Sequence, residues 1–295
     1  MADGPGRGDI TATFAADLVA RQFPRWAHLP VRPVEAPGWD NITFRLGETM
    51  SVRLPSHVSY VAQVQKEHAW LPRLAAHLPL PIPTPLAKGE PTESYPWPWS
   101  VYAWLPGESA NIAPIGDPVR FARDVAGFLK ALQAVDAKDG PAAGAHSHNR
   151  GAGLTAFDAQ TRQAIAALGG RIDRDLALRH WDAALAARFD GPPVWVHGDI
   201  ASGNLLVEDG SLSAVIDFGC SAVGDPACDL VIAWTLFEEE ARAAFQSALH
   251  LDHGTWARGV GWALWKGLIV MAAPEAEKHG HAEVARRTLA ALKLL

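Results

Sequence analysis

The chain has 295 residues, 48% hydrophobic and 20% charged, enough for two lobes with separate cores. Its formal charge of -6 argues against a nucleic-acid partner, which needs a basic face, and fits either plain solubility or a cationic ligand. Two cysteines, Cys220 and Cys228, exclude a disulfide-stapled scaffold, match no zinc spacing and read as small buried residues of a reducing compartment.

The start, MADGPGRGDI, has no apolar stretch and is not read as a signal peptide. Thr11 to Phe23 places Phe14, Leu18 and Val19 at helical spacing and stops at Pro24. Ile42–Leu46 and Met50–Leu54 alternate apolar and polar residues around Gly47-Glu48-Thr49, which predicts a β-hairpin. Val58 to Leu78 predicts a helix that Pro72 kinks or divides, with Lys66 as a solvated charge on it. The Pro-rich segment Leu80–Pro98 allows only loop or edge strand. Ser100–Trp104 is a short strand ended by Leu105-Pro106-Gly107, where the lobe boundary is placed.

Beyond that boundary helical patterns dominate. Asp117 caps and Pro118 opens a helix with Phe121, Val125, Phe128, Leu129 and Leu132 on one stripe. Further helical patterns cover Thr155–Leu168 and Arg171–Phe189. Val194–Val196 is a strand, and Leu205–Val207 and Leu212–Ile216 form a hairpin around Glu208-Asp-Gly-Ser211. From Asp229 on, the chain is Trp-rich helix. Gly259–Ala273, interrupted by Lys266, falls short of the ~20 apolar residues a bilayer span needs and reads as a buried helix, so a cytoplasmic location is expected.

The chemistry concentrates in VWVHGDIASGNLLVEDGSLSAVIDFG, residues 194 to 219. A strand delivers His197 and Asp199 onto a loop, Asn204 follows, and a hairpin returns the chain to Asp217. Folded this way, three oxygen-bearing side chains converge. Phosphoryl transfer requires such a set: a carboxylate to orient a hydroxyl and take its proton, and an amide and second carboxylate as hard ligands for Mg²⁺. The order H-x-D-x-x-x-x-N then D-F-G resembles the protein-kinase core, and its H-G-D variant resembles the aminoglycoside phosphotransferase family, with its choline- and macrolide-kinase relatives. The run Gly224-Asp225-Pro226 and Asp229-Leu230 follows too soon for a protein-kinase activation loop, and there is no A-P-E.

The resemblance implies an α+β, protein-kinase-like fold: a small β-rich nucleotide-binding lobe at residues 1–105 and a larger, mostly helical catalytic and substrate-binding lobe at 106–295. It implies Asp199 as catalytic base, His197 as a structural member of the loop, Asn204 and Asp217 as Mg²⁺ ligands, and ATP or GTP as co-substrate. Asp229 braces the catalytic loop, closes the substrate site, or caps the helix near Leu230. For the nucleotide, the family wants a Gly turn, and Gly38 in Gly38-Trp-Asp-Asn41 fits it; a plain β-turn fits equally. Arg53 stands where a Lys is expected, with Glu67 as its partner; Arg keeps the charge but grips phosphate with a planar fork. Ala103 and Leu105 would pair with the purine edge, and Tyr102 or Trp104 either stacks on the base or belongs to the core. For the substrate, Glu238, Glu239 and Glu240 would suit ammonium groups or simply face solvent, as would Asp252 and Glu275. Trp234, Trp256, Trp262 and Trp265 are core residues or leave a pocket for an apolar substrate, with the loop His146–Asp158 as its cover. The expected activity is transfer of a γ-phosphoryl group to a hydroxyl of an aminoglycoside or related antibiotic. A metabolite kinase of the same fold, or a catalytically weak nucleotide-binding module, is the alternative. No nucleic-acid, membrane or obligate protein partner is expected.

Overall fold

The computed structural model describes residues 4–35, 38, 40–273 and 281–295; Trp39 and Glu275 lie outside them. The chain divides into two compact units, Met1–Pro106 with Ala214–Gly219, and Gly107–Ser213 with Cys220–Leu295.

The first unit opens with helix α1 (Ala12–Gln22), whose Thr11 side chain accepts from Phe14 N–H at 3.2 Å, as an N-cap should. Strands β1 (Val31–Pro33), β2 (Asn41–Leu46) and β3 (Met50–Pro55) follow. Then come helix α2 (Val61–Ala75) and strands β4 (Pro85–Gly89) and β5 (Trp99–Ala103). The sheet is antiparallel in order β1-β2-β3-β5-β4. The β2–β3 hairpin has the register its alternation predicts, Leu46 opposite Met50. The Pro-rich segment supplies β4, an edge strand, the position where missing N–H donors cost least. One face of the sheet buries Phe44, Leu46, Val52, Leu54, Trp99 and Val101 against Leu18 and Val19 of α1.

Two expectations are corrected here. Helix α2 is shorter than Val58–Leu78, and Pro72 does not divide it; near the C-terminal end, the missing N–H of a proline leaves only the His68 carbonyl without its helical donor. Lys66 is not solvated. It is buried, and its Nζ donates to the Gly219 carbonyl at 2.7 Å, because that face of α2 packs on the returning segment Ala214–Gly219.

The second unit begins with strand β6 (Glu108–Ser109) and helix α3 (Pro118–Ala134). Asp117 caps α3 by accepting from Val119 and Arg120 N–H at 3.0 Å. Helices α4 (Asp158–Leu168) and α5 (Arg174–Ala186) are followed by strands β7 (Val194–Val196), β8 (Leu205–Glu208), β9 (Ser211–Val215) and β10 (Ala222–Gly224). Helices α6 (Ile232–Thr235), α7 (Glu239–Leu249), α8 (His253–Ala272) and α9 (His281–Ala291) close the chain. Helix α8 is the hub, packed by α4, α5 and α9. It is buried among protein, and no helix of the described residues is long and apolar enough to cross a membrane. Asp252 caps α8, accepting from Thr255 N–H at 3.0 Å and Oγ1 at 2.5 Å, so it is committed to the helix rather than held for a ligand.

Candidate functional site

Strand β7 pairs antiparallel with β10, Val196 opposite Ala222, and so delivers His197 to a fixed point at its end. His197 is fully buried. Its N–H and that of Gly198 donate to the two carboxylate oxygens of Asp229, at 2.8 and 2.7 Å. Asp199 N–H donates to His197 Nδ1 at 3.2 Å. Gly198 has φ +82°, and a Cβ there would meet the Cys220 carbonyl at 2.4 Å, so only glycine fits the turn. Of the roles open to Asp229, bracing the loop is the one this geometry has. The cap of the following 3-10 turn is Asp225, which accepts from Ala227 N–H at 3.0 Å. Burial pushes the Asp229 carboxyl above its usual range, opposed by His197 and the two N–H donors. Asp225 is in turn held two-pronged by buried Arg258, Nε to Oδ2 at 2.6 Å and Nη2 to Oδ1 at 3.1 Å.

Asp199 stands at the end of this braced loop. Asn204 Nδ2 donates to the Asp199 carbonyl at 2.9 Å and to its Oδ2 at 3.3 Å, which leaves the amide oxygen as the atom Asn204 can offer a cation. Lys266 Nζ, from α8, pairs with Asp199 Oδ1 at 2.9 Å. Burial would raise the Asp199 carboxyl, but Lys266, aided by His197 and Arg150, overcomes it and holds the group down at about 2. The carboxylate is therefore ionised at any working pH. A cavity in this unit is lined by Asp199, Ile200, Arg150, Lys266, Trp262 and Trp265, among others.

In the first unit, Asp217 sits at φ +66°, outside the range most side chains adopt. Its Oδ1 lies 3.4 Å from Arg53 Nη2, and Glu67 Oε2 lies 3.7 Å from Arg53 Nη1. Burial opposes the Arg53 charge, yet Glu67 and Asp217 together raise its pKa above the ordinary guanidinium value. Arg53 is thus shared between the two carboxylates. Tyr102 is not free to stack on a base: it is buried and its hydroxyl donates to Glu67 Oε2. Trp104 lies under the Arg45 guanidinium at 3.8 Å. Ala103 N–H is already given to the Thr84 carbonyl at 2.9 Å, so that donor is not open to a purine edge. Gly38 is exposed, and its carbonyl accepts from Arg7 at 2.6 Å.

Glu238 and Glu239 do not join Asp199. They lie exposed at the start of α7, and neither lines the Asp199 cavity. The four late tryptophans separate into two groups. Trp234 and Trp256 pack with Phe245, whereas Trp262 and Trp265 pack with Phe157 beside Asp199. Lys266 escaped the sequence reading as a site residue, and Arg150 entered it only as part of the loop His146–Asp158 over the site. The one available signal for Lys266 was a lone charge inside an otherwise apolar helix.

Among solved structures, the chain is similar to the GDP complex of wild-type aminoglycoside 2'-phosphotransferase-IIIa, at 18% identity over 96% of this chain and 97% of that one, with a TM-score of 0.71. It is also similar to macrolide 2'-phosphotransferase MphH from Brachybacterium faecium, at 24% identity over 95% and 97% of the two chains and a TM-score of 0.60. A streptomycin–ATP ternary complex of APH(2")-IIa matches at 20% identity over 94% and 96%, with a TM-score of 0.56. No curated protein sequence matches. At these identities the structures establish the α+β, protein-kinase-like fold. A family model described as the phosphotransferase enzyme family matches residues 31–264, most of the chain and all of the elements that carry Arg53, Asp199, Asn204 and Asp217, and the chain belongs to that family.

Proposed function

We propose that the chain transfers the γ-phosphoryl group of ATP or GTP to a hydroxyl of a small molecule, with Asp199 as the base. The observation that carries this is the Asp199 carboxylate at a cavity, paired with Lys266 at 2.9 Å and held on a loop that Asp229 fixes through two backbone N–H groups. In the transfer the acceptor oxygen bonds the γ-phosphorus, its proton goes to Asp199, and the bond to the bridging oxygen breaks to release the diphosphate. A carboxylate held at about 2 is a weak base, and Lys266 explains how it is strengthened on demand. A single Nζ that turns toward the incoming phosphoryl group leaves Asp199 more basic as the hydroxyl proton departs.

Asn204 and Asp217 fit Mg²⁺ as donors: one offers an amide oxygen, the other a part-exposed carboxylate, and both are the hard oxygen type that ion takes. When bound, Mg²⁺ neutralises phosphate charge. Arg53, set by Glu67, would grip the nucleotide phosphates with its fork, and Leu105 N–H would meet the base. The similar structures include aminoglycoside and macrolide kinases, so these antibiotics head the acceptor screen, beside choline-like, amino-alcohol and sugar metabolites. Asp199→Asn should abolish Mg²⁺-dependent phosphotransfer while nucleotide binding stays within a few-fold of wild type. A variant that keeps near-wild-type turnover would remove Asp199 from the role of base, and binding without turnover in the wild type would mark a nucleotide-binding module.

A further inference from the structure

We infer that Lys66 is a positioning residue for Asp217: with Gln63 beside it, Lys66 holds the backbone just beyond Asp217 and so keeps that carboxylate presented to a metal ion. The inference rests on the phosphotransfer reading for the metal, whereas the grip itself stands on contacts within the first unit.

Asp217 has φ +66°, a region that residues other than glycine keep only where their surroundings hold them. Its side chain is about one-third exposed, and Arg53 Nη2 lies 3.4 Å from Oδ1, too long a contact to set a backbone angle. The firm anchors lie on either side of it. Upstream, Val215 N–H donates to the Pro81 carbonyl at 3.1 Å. Downstream, Lys66 Nζ donates to the Gly219 carbonyl at 2.7 Å, and Phe218 between them is fully buried. Gly219 also lies flat on the Gln63 amide, where a Cβ would come within 2.8 Å of it. Turning Asp217 to an ordinary negative φ would swing the following peptides and pull the Gly219 carbonyl off Lys66.

These side chains carry costs that mere space-filling would not. Gln63, Lys66 and Glu67 share one face of α2, at spacings of three and four, and they are 3, 9 and 5% exposed. Burying an amide or an amine is unfavourable, and apolar residues of similar volume would pack at least as well. Gln63 Nε2 is committed to Asp40 Oδ2 at 2.9 Å, which leaves Oε1 buried with no partner among the described residues. Asp40 is itself fixed, its carbonyl accepting from Ser56 N–H and Oγ at 2.9 and 3.0 Å. What the polar face achieves is alignment. Through Glu67 it sets Arg53, and through Lys66 it sets the backbone beyond Asp217. The phosphate grip and a metal ligand of the proposed reaction are thereby referred to one helix, and an apolar residue at position 66 would pack without fixing the second to the first.

ADP is titrated by calorimetry into the full chain with and without Mg²⁺, and the ratio of the two affinities is the gain that the metal brings. Groups that orient a metal ligand are worth about 10–100-fold in metal affinity, so Lys66→Met should cut the gain by about tenfold while metal-free ADP affinity stays within about twofold. In an Asp217→Asn background, where the ligand is already impaired, Lys66→Met should cut the gain no further, because the two residues act as one unit. A purely structural role would instead lower both affinities alike. Hydrogen exchange on the metal-free chain gives a second readout: residues 214–219 should exchange about tenfold faster in Lys66→Met, with the β2–β3 hairpin unchanged. Should Lys66→Met not fold, Lys66→Gln, polar but too short to span the same distance, is read in the same way. An unchanged gain, a loss that adds to that of Asp217→Asn, an equal loss without metal, or unaltered exchange overturns the inference. Failure of the phosphotransfer reading looks different: the wild type shows no gain from Mg²⁺, and the exchange rates then decide by themselves whether Lys66 holds the segment.

Discussion

Replacing Asp229 tests how the reactive loop is held. The carboxylate is completely buried and takes the N–H groups of His197 and Gly198 at 2.8 and 2.7 Å. Asp229→Ala orphans both donors, each at about 1–3 kcal/mol, for a loss of about 2–6 kcal/mol. Asp229→Asn is milder. Its oxygen keeps one bond while its NH₂ faces the other donor, so one charge-assisted bond is lost, about 1.5–3 kcal/mol. Part of that is recovered, because burying the charge is itself costly, as the raised Asp229 carboxyl attests. About 1–2 kcal/mol remains, and at ~2–4 °C per kcal/mol for a domain of this size the melting temperature should fall by several degrees. The sign with pH is also fixed. A carboxyl whose folded pKa is raised loses relative stability as pH rises through the ordinary carboxylate range, so the gap between wild type and Asp229→Asn should narrow from pH 4 upward. Turnover should fall further than stability suggests, since about 1 Å of misplacement at Asp199 costs on the order of 100-fold. Calorimetry across pH and single-turnover transfer measure these. An Asp229→Asn protein with wild-type melting and turnover would refute the bracing argument.

Two other perturbations probe the neighbouring charges. Lys266→Met should raise the Asp199 carboxyl from about 2, because burial is then opposed only by His197 and Arg150; ¹³C-carboxylate NMR titration reads it directly, and an unmoved resonance rejects the pairing. Asp199 is depressed in the wild type, so its contribution to stability is present above about pH 4 and is lost as pH falls toward 2, and the Met variant should lack that acid-side loss. Arg258→Met strands the buried Asp225 carboxylate, both side chains being under 8% exposed, and should cost about 3–5 kcal/mol in a denaturant melt. The Arg258→Met/Asp225→Asn double variant should recover part of it, which a merely bulky role for Arg258 would not give.

What the sequence disclosed follows from where partners lie along it. The β2–β3 hairpin was readable because its apolar period is two and its turn is local, and the start of α3 because Asp117 and Pro118 adjoin the helix they set. The loop carrying His197, Asp199 and Asn204 was readable because those residues fall within one short run. Lys66 with Gly219, Lys266 with Asp199, and Arg258 with Asp225 are separated by 153, 67 and 33 positions. No period or spacing encodes such pairs, and a charge on an apolar helix looks the same whether it snorkels to water or reaches a partner.

Net charge illustrates the limit most sharply. A value of -6 for the chain invites a cationic ligand, and the acidic run at Glu238 offers a place for it. Yet at ordinary ionic strength the field of an exposed charge fades within about 10 Å, so a ligand in a cavity responds to the few groups that line it. Around Asp199 those groups are Arg150 and Lys266, with Trp262 and Trp265. Glu238, Glu239 and Glu240 lie exposed at the start of α7 and do not line that cavity. A screen of acceptors should therefore span anionic, neutral and cationic alcohols, since the net charge of the chain does not describe the groups beside Asp199.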